Sequence, residues 1–278
     1  MEREIPVHER GWIELAHAPQ IEWEPLPAAG WPVGPVARVL SRDPADGALT
    51  AVVRLPAGYR RPTGHTASAI DVLVLSGTLR LGDGVKSYGW YGYLPAGLTS
   101  SPWTAESDVE LLLCARTGAP DFVPGPGPVE GHDGVIAVDT ETVFWTASSR
   151  PGIAPGLSHK LLRYDPATGE GAFLGAAIPS WRSPYLEFHH TIEEIYCVSG
   201  DISLGNSGRM DAGSYLWRPP FISHGPFWSD RGAIIFVWVD GELVNHPPER
   251  PDATPEENRR AFERDGAPAI DVPTRTGV

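Results

Sequence analysis

An all-β fold built as two tandem barrels is what this sequence predicts, and three observations predict it. The chain repeats itself across its two halves. Each half breaks into short apolar strands separated by Asp, Pro and Gly turns. Its 278 residues include 31 Gly and 29 Pro, a mix that disfavours long helices.

The repeat is read residue against residue. Trp23 aligns with Trp145, Gly34 with Gly156, Leu40 with Leu162, Asp43-Pro44 with Asp165-Pro166 and Gly47 with Gly169, at a constant offset of 122. Leu75-Ser76-Gly77 then aligns with Val198-Ser199-Gly200 at 123, and Leu94-Pro95 with Arg218-Pro219 at 124. A register that holds over this length, drifting by one residue per loop, indicates duplication of a whole domain.

Each element follows from local chemistry. Val36 to Leu40 and Ala48 to Leu55 flank Asp43-Pro44-Ala45-Asp46-Gly47, which predicts a hairpin. His159 to Tyr164, Asp165 to Gly169 and Ala172 to Ile178 repeat it. Ile70 to Leu75 runs into Ser76-Gly77, and Glu193 to Val198 into Ser199-Gly200. Apolar strands close the halves at Val109 to Ala115 and Ala233 to Val239. No helical period separates the strands, which predicts barrels or sandwiches. The join from Gly118 to Gly134, with Pro120, Pro124, Pro126 and Pro128, reads as a semi-rigid linker. Thr254, Pro255, Glu257 and Gly266 predict one short helix in the tail. The expected division is a first barrel over 1–120, a Pro/Gly linker over 121–140, a second barrel over 141–246 and a polar tail over 247–278.

A formal net charge of -13 disfavours nucleic acid and anionic membranes as partners. Cys114 and Cys197 form neither a CxxC pair nor a disulfide framework. The start, Met1-Glu2-Arg3-Glu4, lacks the apolar core of a signal peptide, and no apolar run approaches a membrane span. The expectation is a cytoplasmic protein with a small-molecule partner.

Chemistry concentrates in the second half. Leu186-Glu187-Phe188-His189-His190-Thr191-Ile192-Glu193-Glu194 is followed by Arg218-Pro219-Pro220-Phe221-Ile222-Ser223-His224. Imidazole and carboxylate together suit a first-row divalent metal. On a strand, residues at even spacing share a face, so Glu187, His189 and Glu193 point one way, and His190 and Glu194 the other. His224 enters from a strand start after the Pro-Pro turn.

These two segments resemble the paired motifs of the cupin superfamily, and the resemblance covers both halves. It implies a double-stranded β-helix (jelly-roll) barrel in each half, with a metal in the mouth of the second. Glu193 stands at the family spacing before Gly200 and is preferred over Glu194. His189 matches the second His of the first motif, His224 the His of the second, and Gly213 its opening Gly. The departure is at the first His, where this chain has Glu187. Three readings follow: Glu187 is a ligand, a bulge turns His190 inward, or three protein ligands leave open positions. In the first half Thr66, Ile70 and Ser100 stand against His189, Glu193 and His224. That half reads as structural, or as taking an organic ligand without metal.

Around the site, Arg182, Tyr196, Trp217 and Phe221 are the candidate substrate-binding residues, and Arg163 and Arg218 further candidates for an anionic oxygen. Whichever of Glu193 and Glu194 is not a ligand is the candidate general base. The resemblance implies one divalent ion, Fe2+ favoured over Zn2+, Mn2+ or Ni2+, and an Fe(II)-type dioxygenase acting on a small organic substrate. A metal-dependent isomerase, cyclase or lyase on a carbonyl substrate is the alternative. The stretch also resembles the barrel of zinc-dependent anti-sigma factors, a non-enzymatic sensor, although no helical segment precedes the barrel here. Cupins commonly dimerise through their sheets, which makes a homodimer the expected assembly.

Overall fold

The structure, a computed structural model, describes residues 10, 13–129, 136–148, 156–183, 186–205 and 208–246. The described residues form β-strands and two short 3-10 turns, Ala18–Gln20 and Thr140–Thr142. No described helix is long and apolar enough to cross a membrane. The helix expected after Thr254 lies outside the described residues.

The chain divides into two compact units. One is Ala18–Val143; the other joins Met1–His17 to Phe144–Val278. The main sheet of the first unit runs Ile136–Asp139, Trp90–Leu94, Ile70–Ser76, Val109–Ala115, Leu49–Leu55, Val36–Arg42, Glu24–Pro25. A smaller sheet holds Arg60–Arg61, Trp103–Ala105, Leu79–Leu81 and Gly84–Lys86. The main path of the second unit runs Ile13–His17, Ser214–Arg218, Glu193–Leu204, Ala233–Val239, Gly171–Ala177, Leu157–Tyr164, Thr146–Ala147. Apart from the outermost strand at one end, the two orders are the same repeat. The fold is the expected one, two double-stranded β-helix barrels.

That outermost strand corrects the expected boundaries. Ile13–His17 pairs with Ser214–Arg218, so it belongs to the second barrel and not to the first. Two stretches of the expected linker are strands of the first barrel: Phe122–Pro124 pairs with Gly64–Thr66, and Ile136–Asp139 with Trp90–Leu94. An edge strand with free N–H and C=O groups recruits any extended segment within reach. Residues 130–135 are outside the described set.

Local chemistry explains the duplicated hairpin. In the first turn Asp43 O accepts from Gly47 N at 2.9 Å, and Asp43 Oδ1 from Ala45 N at 2.9 Å. In the second, Asp165 O accepts from Gly169 N and Asp165 Oδ1 from Ala167 N, both at 2.8 Å. Gly47 and Gly169 have φ of 79° and 78°, a conformation in which a Cβ would be strained.

The two interiors differ. In the first barrel Leu49, Val53 and Leu55 on one strand and Val109, Leu111 and Leu113 on its neighbour are fully buried in one apolar cluster with Trp103. Each such side chain contributes about 1.5–3 kcal/mol of burial free energy. The second barrel packs Ile195, Cys197, Leu204, Met210 and Leu216 in its own cluster but keeps a cavity of about 130 Å³.

Candidate metal centre

Glu193 is the first residue of its strand and lies between Arg218 and Val239 in the two ladders. Its alternation with Ile195 turns its side chain into the barrel. His189 comes four residues earlier, held where Phe221 N donates to His189 O at 2.8 Å. His224 is held by paired backbone bonds: Glu187 N donates to His224 O at 3.0 Å and His224 N to Glu187 O at 2.9 Å.

Both imidazoles are oriented the same way. His189 Nδ1 lies 2.8 Å from Thr191 O, and His224 Nδ1 2.8 Å from Ile222 O. A carbonyl oxygen only accepts, so each Nδ1 carries the proton and each Nε2 keeps its lone pair toward the site. His189 Nε2 is 3.3 Å and His224 Nε2 3.7 Å from Glu193 Oε2. One ligand atom from each of the three residues lies within 4.8 Å of the others. All three are buried, and His189 Nε2 and Glu193 Oε2 make no hydrogen bond. Orphaned buried polar atoms cost free energy that a bound cation would recover. Two neutral imidazoles and a carboxylate are also the donor set that divalent first-row ions take. The residues fit a metal.

The Glu193 and His224 charge states agree with that fit, and in the metal-free protein His189 takes up a proton more readily beside Glu193. Burial alone would raise the Glu193 carboxyl, but the His189 imidazole beside it holds it down to about 2. Burial, then the Arg218 and His189 charges, push His224 down to about 3. Burial disfavours the charged form of His189 too, but Glu193 outweighs it, and its pKa rises. Arg218 is itself tied to Glu14, with Nη2 2.7 Å from Oε1.

Glu187 stands apart from the three. Its carboxylate accepts from Asn245 Nδ2 at 2.9 Å and lies outside the group of donors within 4.8 Å. Burial, then the Glu193 charge, raise it to about 7. Glu187 lines the cavity all the same, beside Glu193 and His224.

The structure places the other candidates elsewhere. His190 is exposed, with its ring 4.6 Å from His246 and 4.9 Å from Phe221. No bulge turns it inward, because His189 already takes the inward direction. Glu194 points to the opposite face from Glu193, as strand alternation requires. There Tyr215 Oη donates to Glu194 Oε1 at 2.6 Å and Arg10 stands 3.7 Å away, so Glu194 is no base for this cavity. Trp217 and Tyr196 share that outer face, Trp217 opposite Glu194 and Tyr196 opposite Tyr215. Phe221, at φ 69°, packs outside against Phe188 and His190. Arg182 is exposed and donates to Trp181 O, Ser229 O and Asp230 Oδ1. None of these four lines the cavity. Arg163 is bound to Glu170 at 2.6 Å.

The residues that do line it were missed in part. Asn245 follows the last strand and has no sequence signal. Trp181, Phe173, Phe227 and His159 were visible only as composition. Cys197 is wholly buried in the apolar cluster, and burial pushes its thiol up to about 12.

The first barrel has the same frame without the donors. Gly64 and Ser100 form the backbone bridge that Glu187 and His224 form in the second. Thr66 and Ile70 then stand where His189 and Glu193 do. Ser100 Oγ instead accepts from Arg61 Nη2 at 2.8 Å.

Comparison with known proteins supports the fold. The profile of one protein family, described as a domain of unknown function (DUF4437), matches residues 14–246. No curated protein matches the chain. Among solved structures, a candidate dioxygenase from Nostoc punctiforme superposes with a TM-score of 0.76 at 22% identity, covering 89% of each chain. Oxalate decarboxylase from Bacillus subtilis superposes at 0.55 and 14% identity, over 84% of this chain and 78% of that one. A further structure of that decarboxylase describes Mn(II) centres. At these identities the likeness bears on the fold, and it agrees with the cupin barrels expected from the motifs.

Proposed function

The chain belongs to the DUF4437 family, and from that premise we propose that it is a metal-dependent bicupin enzyme, an Fe(II)-type dioxygenase acting on a small organic substrate, with its metal in the second barrel only. The observation that supports this most is the meeting of two Nε2 lone pairs and one carboxylate oxygen at the wall of a cavity. Two His and one carboxylate with open positions is the donor set of non-haem iron oxygenases. Held by His189, Glu193 and His224, a redox-active ion such as Fe2+ would supply Lewis acidity and dioxygen activation, whereas Zn2+ would supply Lewis acidity alone.

The chain's own groups have separate tasks. His189 and His224 present fixed Nε2 atoms, because their Nδ1 protons are held by carbonyls. Glu193 supplies negative charge where a cation would sit. The largely apolar wall lowers the local dielectric, which strengthens each of these interactions. Burial raises the Glu187 carboxyl above the usual carboxylate range, and it faces the same cavity, so it can give or take a proton there. That observation favours the second reading, an isomerase or lyase on a carbonyl substrate.

The experiment is metal analysis of protein purified with and without air, followed by oxygen uptake on addition of a β-diketone or a catechol. Stoichiometric iron with substrate-dependent oxygen uptake supports the dioxygenase. Bound metal with product but no oxygen uptake selects the isomerase or lyase. Failure of the protein to take up any of these ions overturns both.

A further inference from the structure

The two barrels share one register, and the positions at which they differ describe what the second one holds. At the level of the donors, Leu49 opposite Ala115 in the first barrel corresponds to Gly171 opposite Val239 in the second. Farther along the same two strands, Val53 opposite Leu111 corresponds to Gly175 opposite Ile235. At the far end, Leu55 opposite Val109 corresponds to Ala177 opposite Ala233. In the first barrel these side chains are fully buried and fill the interior. In the second, Gly175, Ala177 and Ala233 line the cavity. Between these levels Phe173 opposite Val237 replaces Ala51 opposite Leu113 and narrows the interior, so the hollow at the end away from Glu193 is bounded by three reduced side chains, Gly175, Ala177 and Ala233.

The lining also carries a charge pattern. Among the described residues no Lys or Arg side chain lines it, while Glu187 and Glu193 do. Among the described residues, the nearest cation to the donors is Arg218, which is tied to Glu14 and does not line the cavity, so an anionic ligand would meet two carboxylates and no lining cation. Most of the remaining wall is apolar, with Trp181, Phe173 and Ile235 facing the space, and its other polar groups, among them Ser158, Ser183, His159 and Asn245, are uncharged or weakly basic. A dry apolar void of roughly 150 Å³ takes up benzene or xenon, and this one measures about 130 Å³.

We propose that the second barrel takes an uncharged substrate whose apolar ring or short chain extends from the donors toward Ala177 and Ala233, and that Gly175, Ala177 and Ala233 set how large that part can be. This rests on the metal-enzyme reading for the position of the reacting end, but the apolar subsite is testable without metal. Gly175 contributes by what it lacks: a Cβ there would come 3.1 Å from Ile235 Cγ1.

The test is calorimetric titration of the metal-free protein with toluene and with benzoate, which present the same ring with and without charge. Toluene binds, and benzoate binds at least tenfold more weakly. Ala177→Leu with Ala233→Val, the residues of the first barrel, lowers toluene affinity at least tenfold. The single exchanges Ala177→Val and Ala233→Val add less volume and give smaller losses in the same direction. Metal uptake is measured in parallel. Toluene binding that is absent, or unchanged in the filled variants, or matched by benzoate, overturns the proposal whatever the metal result. Loss of toluene binding in the variants with no metal in any protein upholds the subsite and removes only the metal reading.

Discussion

His189 Nε2 lies 3.3 Å from Glu193 Oε2, and neither atom makes a hydrogen bond. Such a pair is costly when dry and becomes favourable with a cation between its members. His189→Ala, Glu193→Gln and His224→Ala should each reduce bound metal from one ion per chain to a trace. The measurement is elemental analysis after dialysis, with circular dichroism as a check on folding. Ser100→Ala, at the equivalent of His224 in the first barrel, should leave metal content unchanged. Equal loss in Ser100→Ala and His224→Ala would contradict a single site in the second barrel.

Glu187 makes the metal-free protein sensitive to pH. Its folded pKa, about 7, is above the ordinary value near 4.5, through burial and then the Glu193 charge. The folded state therefore binds more protons than the unfolded state between those values. Stability from this group is full below pH 4.5 and falls as pH rises toward 7. Part of the side chain is exposed, so the loss is discounted to about 1–2 kcal/mol. Glu187→Gln still accepts from Asn245 and removes the loss. Its melting temperature should exceed that of the parent at pH 8 and match it at pH 4. Parallel curves for the two proteins would rule this out.

Much of this was legible in the sequence, and the reasons differ by element. The hairpins at Asp43 and Asp165 were readable because the turn bonds are local. His189, Glu193 and His224 were readable because alternation and motif spacing fix direction along a strand. The same alternation already turned Glu194 and Tyr196 away from Glu193, yet residue type had made them candidates. Arg182, Trp217 and Phe221 are candidates by chemistry alone, and chemistry does not specify a face. The place of Ile13–His17 was not legible, since a short strand carries no record of the sheet it joins. The hollow was present in the repeat, as Gly175 and Ala177 against Val53 and Leu55, but composition conceals it.

Glu194 and Tyr215 offer a test of the outer face. Their hydrogen bond is 2.6 Å long, and both side chains are buried. Tyr215→Phe deprives a buried carboxylate of a donor, which costs about 1.5–3 kcal/mol. Chemical denaturation should show that loss, with metal content and the affinity for toluene unchanged. A fall in metal content without a fall in stability would return Glu194 to the site.

Arg61 shows what the first barrel has where the second has donors. Its guanidinium lies 3.8 Å from the Trp103 ring centroid and 4.9 Å from that of Trp31, and burial lowers its pKa to about 9. Nη2 donates to Ser100 Oγ, while Nε and Nη1 make no hydrogen bond. The cation–π contacts offset part of the desolvation cost, and the Ser100 bond offsets more. Ser100→Ala should therefore destabilise the protein by about 1–3 kcal/mol. Arg61→Met keeps most of the volume and removes the buried charge, so it should cost less than Ser100→Ala or stabilise the fold. Guanidinium denaturation of the two variants compares them directly. If Arg61→Met proves the more damaging, the guanidinium has a partner in solution that makes its charge an asset.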